Sequence, residues 1–138
     1  MKVFVDTNVF IDYICKREQF FVPAKGVIAA CILEEYEIII SSLTIVNTLY
    51  IGRKYGTEVL KNKLLAFSNN IVVADLPASL VLEALNSDWK DYEDSLQYAT
   101  AMQREANCIV TRNKKDFEKT QIPVYTPDEF LSTLVVKE

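Results

Sequence analysis

Short apolar runs of strand type alternate with stretches of helical period along this chain, and that alternation narrows the fold most. Val3–Val5, Glu37–Ile40, Ile71–Ala74, Cys108–Thr111 and Pro123–Thr126 read as strands. They are compact and rich in Val and Ile, as buried parallel strands are. Thr7–Cys15 reads as a short helix. Pro23 suits the first turn of a second, whose Val27, Ile28, Cys31 and Ile32 follow helical spacing. Ser41-Ser42 offers an N-cap to a third helix, with Leu43, Val46, Leu49 and Tyr50 on its apolar face and Gly56 as its C-cap. Thr57–Phe67, Pro77–Asn86 (apolar at Leu80, Val81, Leu82 and Leu85), Asp91–Glu105 and Pro127–Leu134 complete the helices. Strands separated by helices imply an α/β protein with a central parallel sheet of four to five strands and right-handed crossovers. At 138 residues the chain is expected to form one domain spanning 1–138.

That architecture gives meaning to the polar residues at the strand ends. Asp6 closes the first strand and opens Asp6-Thr7-Asn8, and ligands of open α/β sheets bind beyond the carboxyl ends of the strands. Capping the next helix would also explain Asp6 or Thr7. Thr111-Arg112-Asn113-Lys114-Lys115-Asp116 follows the fourth strand, at the same edge. Asp91 and Asp94 are three apart on one face of a helix. Tyr92, Leu96 and Ala99 form its buried stripe, which sets Asp94 at the core edge as the preferred ligand and turns Glu93 elsewhere. Acids in a first helical turn are favoured by the dipole without any further role. Asn47 sits among Ile45, Val46 and Leu49 and is either a satisfied core amide or a member of a site. Acids gathered at one edge suggest a carboxylate-held divalent metal and phosphodiester chemistry.

Composition excludes several alternatives. There is no histidine, so His-based triads, His general bases and His-containing zinc sites are out. Only three glycines occur and none builds a phosphate cradle. The net charge of −4 argues against nucleic-acid binding by a broad basic surface, though not against an acidic site that meets phosphate through a metal. Cys15, Cys31 and Cys108 lie scattered in apolar surroundings and are expected as buried thiols of a reducing compartment. With no membrane-length apolar run and no signal-peptide layout, a soluble cytoplasmic protein is expected. A receiver-like signalling domain would need an adjacent acidic pair after the first strand. A haloacid-dehalogenase-like phosphotransferase would need a second Asp at position 8, which is Asn.

The chain resembles the PIN-domain family, small metal-dependent ribonucleases that include the VapC-type toxins of toxin–antitoxin pairs. The resemblance is carried in order by Val5-Asp6-Thr7-Asn8-Val9, by Ile40-Ser41-Ser42-Leu43-Thr44-Ile45-Val46-Asn47, by Asp91-Tyr92-Glu93-Asp94-Ser95-Leu96-Gln97-Tyr98-Ala99, and by Ile109-Val110-Thr111-Arg112-Asn113-Lys114-Lys115-Asp116-Phe117. It implies a three-layer α/β/α sandwich. It implies an Mg2+ or Mn2+ site held by Asp6, Asp94 and Asp116, with Asn47, Thr111 and Asn113 in the catalytic constellation. Thr7, Asn8, Asp91, Arg112 and Lys114, with Lys115, would then meet the substrate. It further implies hydrolysis of single-stranded RNA to 5′-phosphate and 3′-hydroxyl ends, a small cognate antitoxin, and a homodimer. Asn47 stands where many members carry Glu. It offers a carbonyl oxygen but one charge fewer, which points toward Mn2+. The alternative is a catalytically impaired PIN-like module that binds RNA or protein.

Overall fold

In the computed structural model, which describes residues 1–117 and 119–134, five parallel strands form one sheet. They are β1 (Lys2–Val5), β2 (Glu37–Ser41), β3 (Val72–Ala74), β4 (Cys108–Val110) and β5 (Val124–Tyr125). Their spatial order is β3-β2-β1-β4-β5. The chain therefore builds outward from β1 to one edge, then returns to place β4 on the other side of β1. The β1/β4 pair is the topological switch point, where the crossovers diverge and leave a crevice.

Period-two alternation splits the apolar side chains between the two faces of the sheet. Val3, Val5, Ile38, Ile40, Cys108 and Val110 face one layer of helices: α1 (Thr7–Ile14), α2 (Phe21–Leu33), α4 (Thr57–Ser68) and α7 (Pro127–Thr133). Phe4, Ile39, Ala74 and Ile109 face the other, where Ala101 of α6 (Tyr92–Gln103) packs beside Ala106 and Phe117. Helix α5 (Ala78–Leu85) packs on α6. The result is the α/β/α sandwich. All three cysteines are free and buried. Among the described residues, no helix is long and apolar enough to cross a membrane.

Two helices turn differently from their expected apolar faces. In α3 (Ser42–Ile51) the buried residues are Thr44 and Thr48, whereas Val46 is 62 % and Tyr50 66 % exposed. The reason is polar: Thr44 Oγ1 belongs to a buried hydrogen-bond network, and Thr48 Oγ1 donates to the Thr44 carbonyl at 2.6 Å. In α5 the buried positions are Leu80 and Ala84, and Leu82 and Leu85 face outward. Helix α3 also ends earlier than Gly56, at Ile51, and continues as a 3-10 turn over Gly52–Tyr55. Gly56 then sits at φ 102°, in the left-handed region that favours glycine.

Candidate active site

Parallel register brings the site together. Val5 pairs with Val110, and the Asp6 amide donates to the Val110 carbonyl at 3.0 Å, so Asp6 and Thr111 leave adjacent strands side by side. Ser41 ends β2 on the other flank of β1. Asp6 is the N-cap of α1, its Oδ1 accepting from the Thr7 amide at 2.9 Å. The capping role and a place in the cleft therefore coexist in one carboxylate.

Asp6 is only 4 % exposed, and three donors hold it. Besides Thr7, Gln97 Nε2 donates to Oδ1 at 3.1 Å and Thr111 Oγ1 to Oδ2 at 2.7 Å. Gln97 is itself pinned, because Ser41 Oγ donates to its Oε1 at 2.6 Å and its amide reaches Thr7 Oγ1 at 3.1 Å and Thr44 Oγ1 at 3.3 Å. Asn8 staples the start of α1 to the loop after β4. Its Nδ2 donates to Thr111 Oγ1 at 3.3 Å, and its Oδ1 accepts from the Arg112 amide at 3.2 Å. Such a satisfied polar network restricts Asp6 to one orientation.

Beyond this floor lies a cleft of about 250 Å3 lined by Asp6, Thr7, Asn8, Asp91, Glu93, Asp94, Asn113 and Asp116, with Ile11, Arg17 and Ile51. Asp91 caps α6, accepting from the Asp94 amide at 3.0 Å. Asp116 ends a 3-10 turn, Lys114–Asp116, anchored by the buried Phe117 against Trp89. A roomier cleft of about 560 Å3 lies at Tyr13, Phe21, Lys25, Lys63 and Phe67; it carries no carboxylate, so the chemistry points to the smaller one.

The acids repel. Burial pushes the Asp94 carboxyl up to about 7, reinforced by the charges of Asp6, Asp91, Asp116 and Glu93. Burial also raises Asp6, against the lowering effect of its hydrogen bonds from Gln97, Thr111 and Thr7. Glu93 is raised by burial and by Asp6 and Asp91. Among the described residues no three acidic or cysteine side chains form a ready-made cation cage. The donor set is open instead, hard oxygens with no imidazole or thiolate, which suits a cation that keeps waters and takes substrate phosphate.

Several expected site residues are occupied differently. Arg112 does not line the cleft: its guanidinium bonds Asp12 (Nε to Oδ2 2.6 Å, Nη2 to Oδ1 3.4 Å) and lies 3.8 Å from the Phe20 ring centroid. Lys114 pairs with Glu129 at 3.1 Å. The Asn47 amide donates to Glu93 Oε1 at 3.1 Å, and Glu93, expected to turn elsewhere, lines the cleft. Tyr92 is half-exposed rather than part of the buried stripe, which runs through Ser95, Leu96, Gln97, Thr100 and Ala101. Sequence pattern alone does not mark Gln97, Ser41 and Thr44 as members of the site. Only the three-residue step from Asp94 to Gln97, which puts both on one side of α6, hints at Gln97. Nothing local marks Arg17 or the tie between Asp12 and Arg112.

A parallel sheet with carboxylates gathered at its switch point defines a class of α/β proteins built around an acidic cleft. Within that class the chain belongs to the PIN-domain family, whose model matches residues 2–115. It is 26 % identical over 134 residues to Ribonuclease VapC1 of Aquifex aeolicus, covering 94 % of this chain and 92 % of that protein. Its structure is similar to that of a toxin–antitoxin complex from Klebsiella pneumoniae (TM-score 0.67, 25 % identity, 91 % of this chain and 97 % of the other). It also shares the fold of VapC20 of Mycobacterium tuberculosis, a sarcin–ricin-loop-cleaving toxin (TM-score 0.63, 16 % identity, 78 % and 86 % covered).

Proposed function

We propose that this protein is an endoribonuclease that uses Mg2+ or Mn2+ to hydrolyse single-stranded RNA, and that it is the toxin of a toxin–antitoxin pair. The observation that carries this is the convergence of Asp6, Asp94 and Asp116 on one cleft at the switch point, with Asp94 pushed up to about 7 by burial and by its acidic neighbours. Such a group of acids, which makes no ion pair among the described residues, lowers its energy by holding a divalent cation. A likeness to Ribonuclease VapC1 along nearly the whole chain supports RNA as the substrate.

Asp6, Asp94 and Asp116 would hold the cation, with Asn113 beside them. A cation bound there supplies a polarised phosphate and a water acidic enough to attack it. The residues supply the rest. Thr7, Gln97 and Thr111 keep the Asp6 oxygens from rotating. Asp94, raised to about 7, is partly protonated near neutral pH and would give up that proton on holding a cation. Arg17 lines the cleft as a positive group for a substrate phosphate, and exposed Lys115 follows the loop on which RNA would lie. The products are 5′-phosphate and 3′-hydroxyl ends.

The likeness to a toxin–antitoxin complex supports a small antitoxin whose segment covers the acidic cleft. The outward apolar side chains Val46, Tyr50 and Ile51 of α3, with Tyr55 and Val59, support a homodimer. The place of action is the cytoplasm.

Cleavage of a labelled single-stranded RNA in Mg2+ or Mn2+ tests the reading. Cleavage is expected with metal, none with chelator, and a loss of at least about 100-fold in Asp94→Asn. A folded wild type that binds RNA yet cleaves nothing in either metal would favour the alternative, a PIN-like module without turnover.

A further inference from the structure

We propose that Glu93 is a further cation-facing carboxylate of the cleft and that Asn47 is the positioning residue that holds it there. This rests on the metal-site reading above. Glu93 and Gln97 are four residues apart on α6 and share a face. Gln97 uses that face to grip Asp6, so Glu93 stands one turn nearer the helix start, toward the same strand end. It lines the cleft with Asp6, Asp91, Asp94 and Asp116. From α3, across the cleft, Asn47 Nδ2 donates to Glu93 Oε1 at 3.1 Å. The amide occupies one carboxylate oxygen and leaves the other to the cleft.

Charge explains why position 47 carries an amide. An amide orients Glu93 without neutralising it, so the full charge of the acids remains to be balanced by a cation. A carboxylate at position 47 would meet Glu93 as a like charge. The carboxylate that the family resemblance places on α3 is thus supplied from α6, with α3 contributing the donor that aims it. Asn47 is in this light no sign of a disabled site.

The test is Mn2+ affinity, measured by calorimetry and by the electron-spin resonance of free Mn2+, on folded full-length protein without RNA. Glu93→Gln keeps size and shape but removes the charge; its affinity is expected to fall at least about tenfold. Glu83→Gln, an exposed acid on α5, serves as the control and is expected to bind as the wild type does. Asn47→Ala is expected to weaken Mn2+ binding, but to add no further loss in the Glu93→Gln background, because it acts only through Glu93. Asn47→Glu in that background is expected to restore affinity. Unchanged Mn2+ affinity in Glu93→Gln overturns the assignment alone. Additive losses for positions 47 and 93 overturn the positioning role. A wild type that binds no Mn2+ overturns the assignment and the metal site together, whereas one that binds Mn2+ and cuts no RNA overturns the nuclease reading and leaves this assignment standing. Matching circular dichroism and thermal midpoints exclude unfolding as the cause of any loss.

Discussion

Asp6 and Asp94 show how a site can be built against the stability of its own fold. Both carboxyls are raised by burial first, Asp94 to about 7 from an ordinary 3.8. An acid whose folded-state pKa is raised keeps its proton in the fold at a pH where the unfolded chain has lost it. The metal-free protein therefore loses stability as pH rises from about 4 toward about 7, the reverse of a salt-bridged acid. Asp94→Asn is expected to raise the metal-free melting temperature at pH 8 and to leave it unchanged near pH 4. Each kcal/mol of relieved repulsion is worth roughly 3 to 6 °C for a chain of this size. Thermal scans at the two pH values in chelator check this; equal midpoints for both proteins at pH 8 would rule it out. Gln97 illustrates the complementary case. It is wholly buried, yet every polar atom of its amide is spoken for by Ser41, Asp6, Thr7 and Thr44, and so it reads as part of the site's scaffold.

Element boundaries answer to the same polar demands. Helix α3 buries Thr44 because it completes the network under Asp6, and Thr48 one turn later bonds back to the Thr44 carbonyl, while Val46 and Tyr50 turn outward and Ile45 and Leu49 pack against the core. Apolar spacing could not reveal this, since Leu43, Val46 and Leu49 fit a core stripe equally well. The join between α3 and α4 is set by backbone instead. Gly56, at φ 102° and ψ 110°, precedes Thr57, and an L side chain there is strained whatever room surrounds it. Gly56→Ala is expected to cost about 1 to 3 kcal/mol in denaturant unfolding. A loss under a few tenths of a kcal/mol would show that the turn relaxes.

At the scale of the whole molecule, one ion pair ties α1 to the loop after β4. Asp12 is 1 % exposed and accepts the Arg112 guanidinium, which also lies over Phe20. Arg17 reaches the same carboxylate only at 3.4 Å. Removing Arg112 leaves the buried acid with the longer Arg17 contact alone, and the loss of its main partner costs more than the pair itself contributes. Arg112→Ala is expected to destabilise the protein by about 2 to 4 kcal/mol while leaving RNA affinity of the folded protein unchanged. Weaker RNA binding with unaltered stability would return Arg112 to the substrate side of the cleft.

Alternation of strand and helix, the parallel sheet, and the edge on which the acids gather were legible in the sequence. Each depends on local period and on the handedness of crossovers, which hold wherever the pattern occurs. Asp6, Asp91, Asp94 and Asp116 could be read in the same way, from their places after strands and at a helix start. The tertiary structure alone decided which neighbours those residues have. Asn47 meets Glu93, Thr111 meets Asp6, and Arg112 meets Asp12 across 46, 105 and 100 residues of chain. A side chain's periodicity says which way it faces on its own element, but the hydrogen bond it makes depends on how strands register and helices pack. For a cleft built from four separate segments of chain, that packing sets both the charge and the geometry of the site.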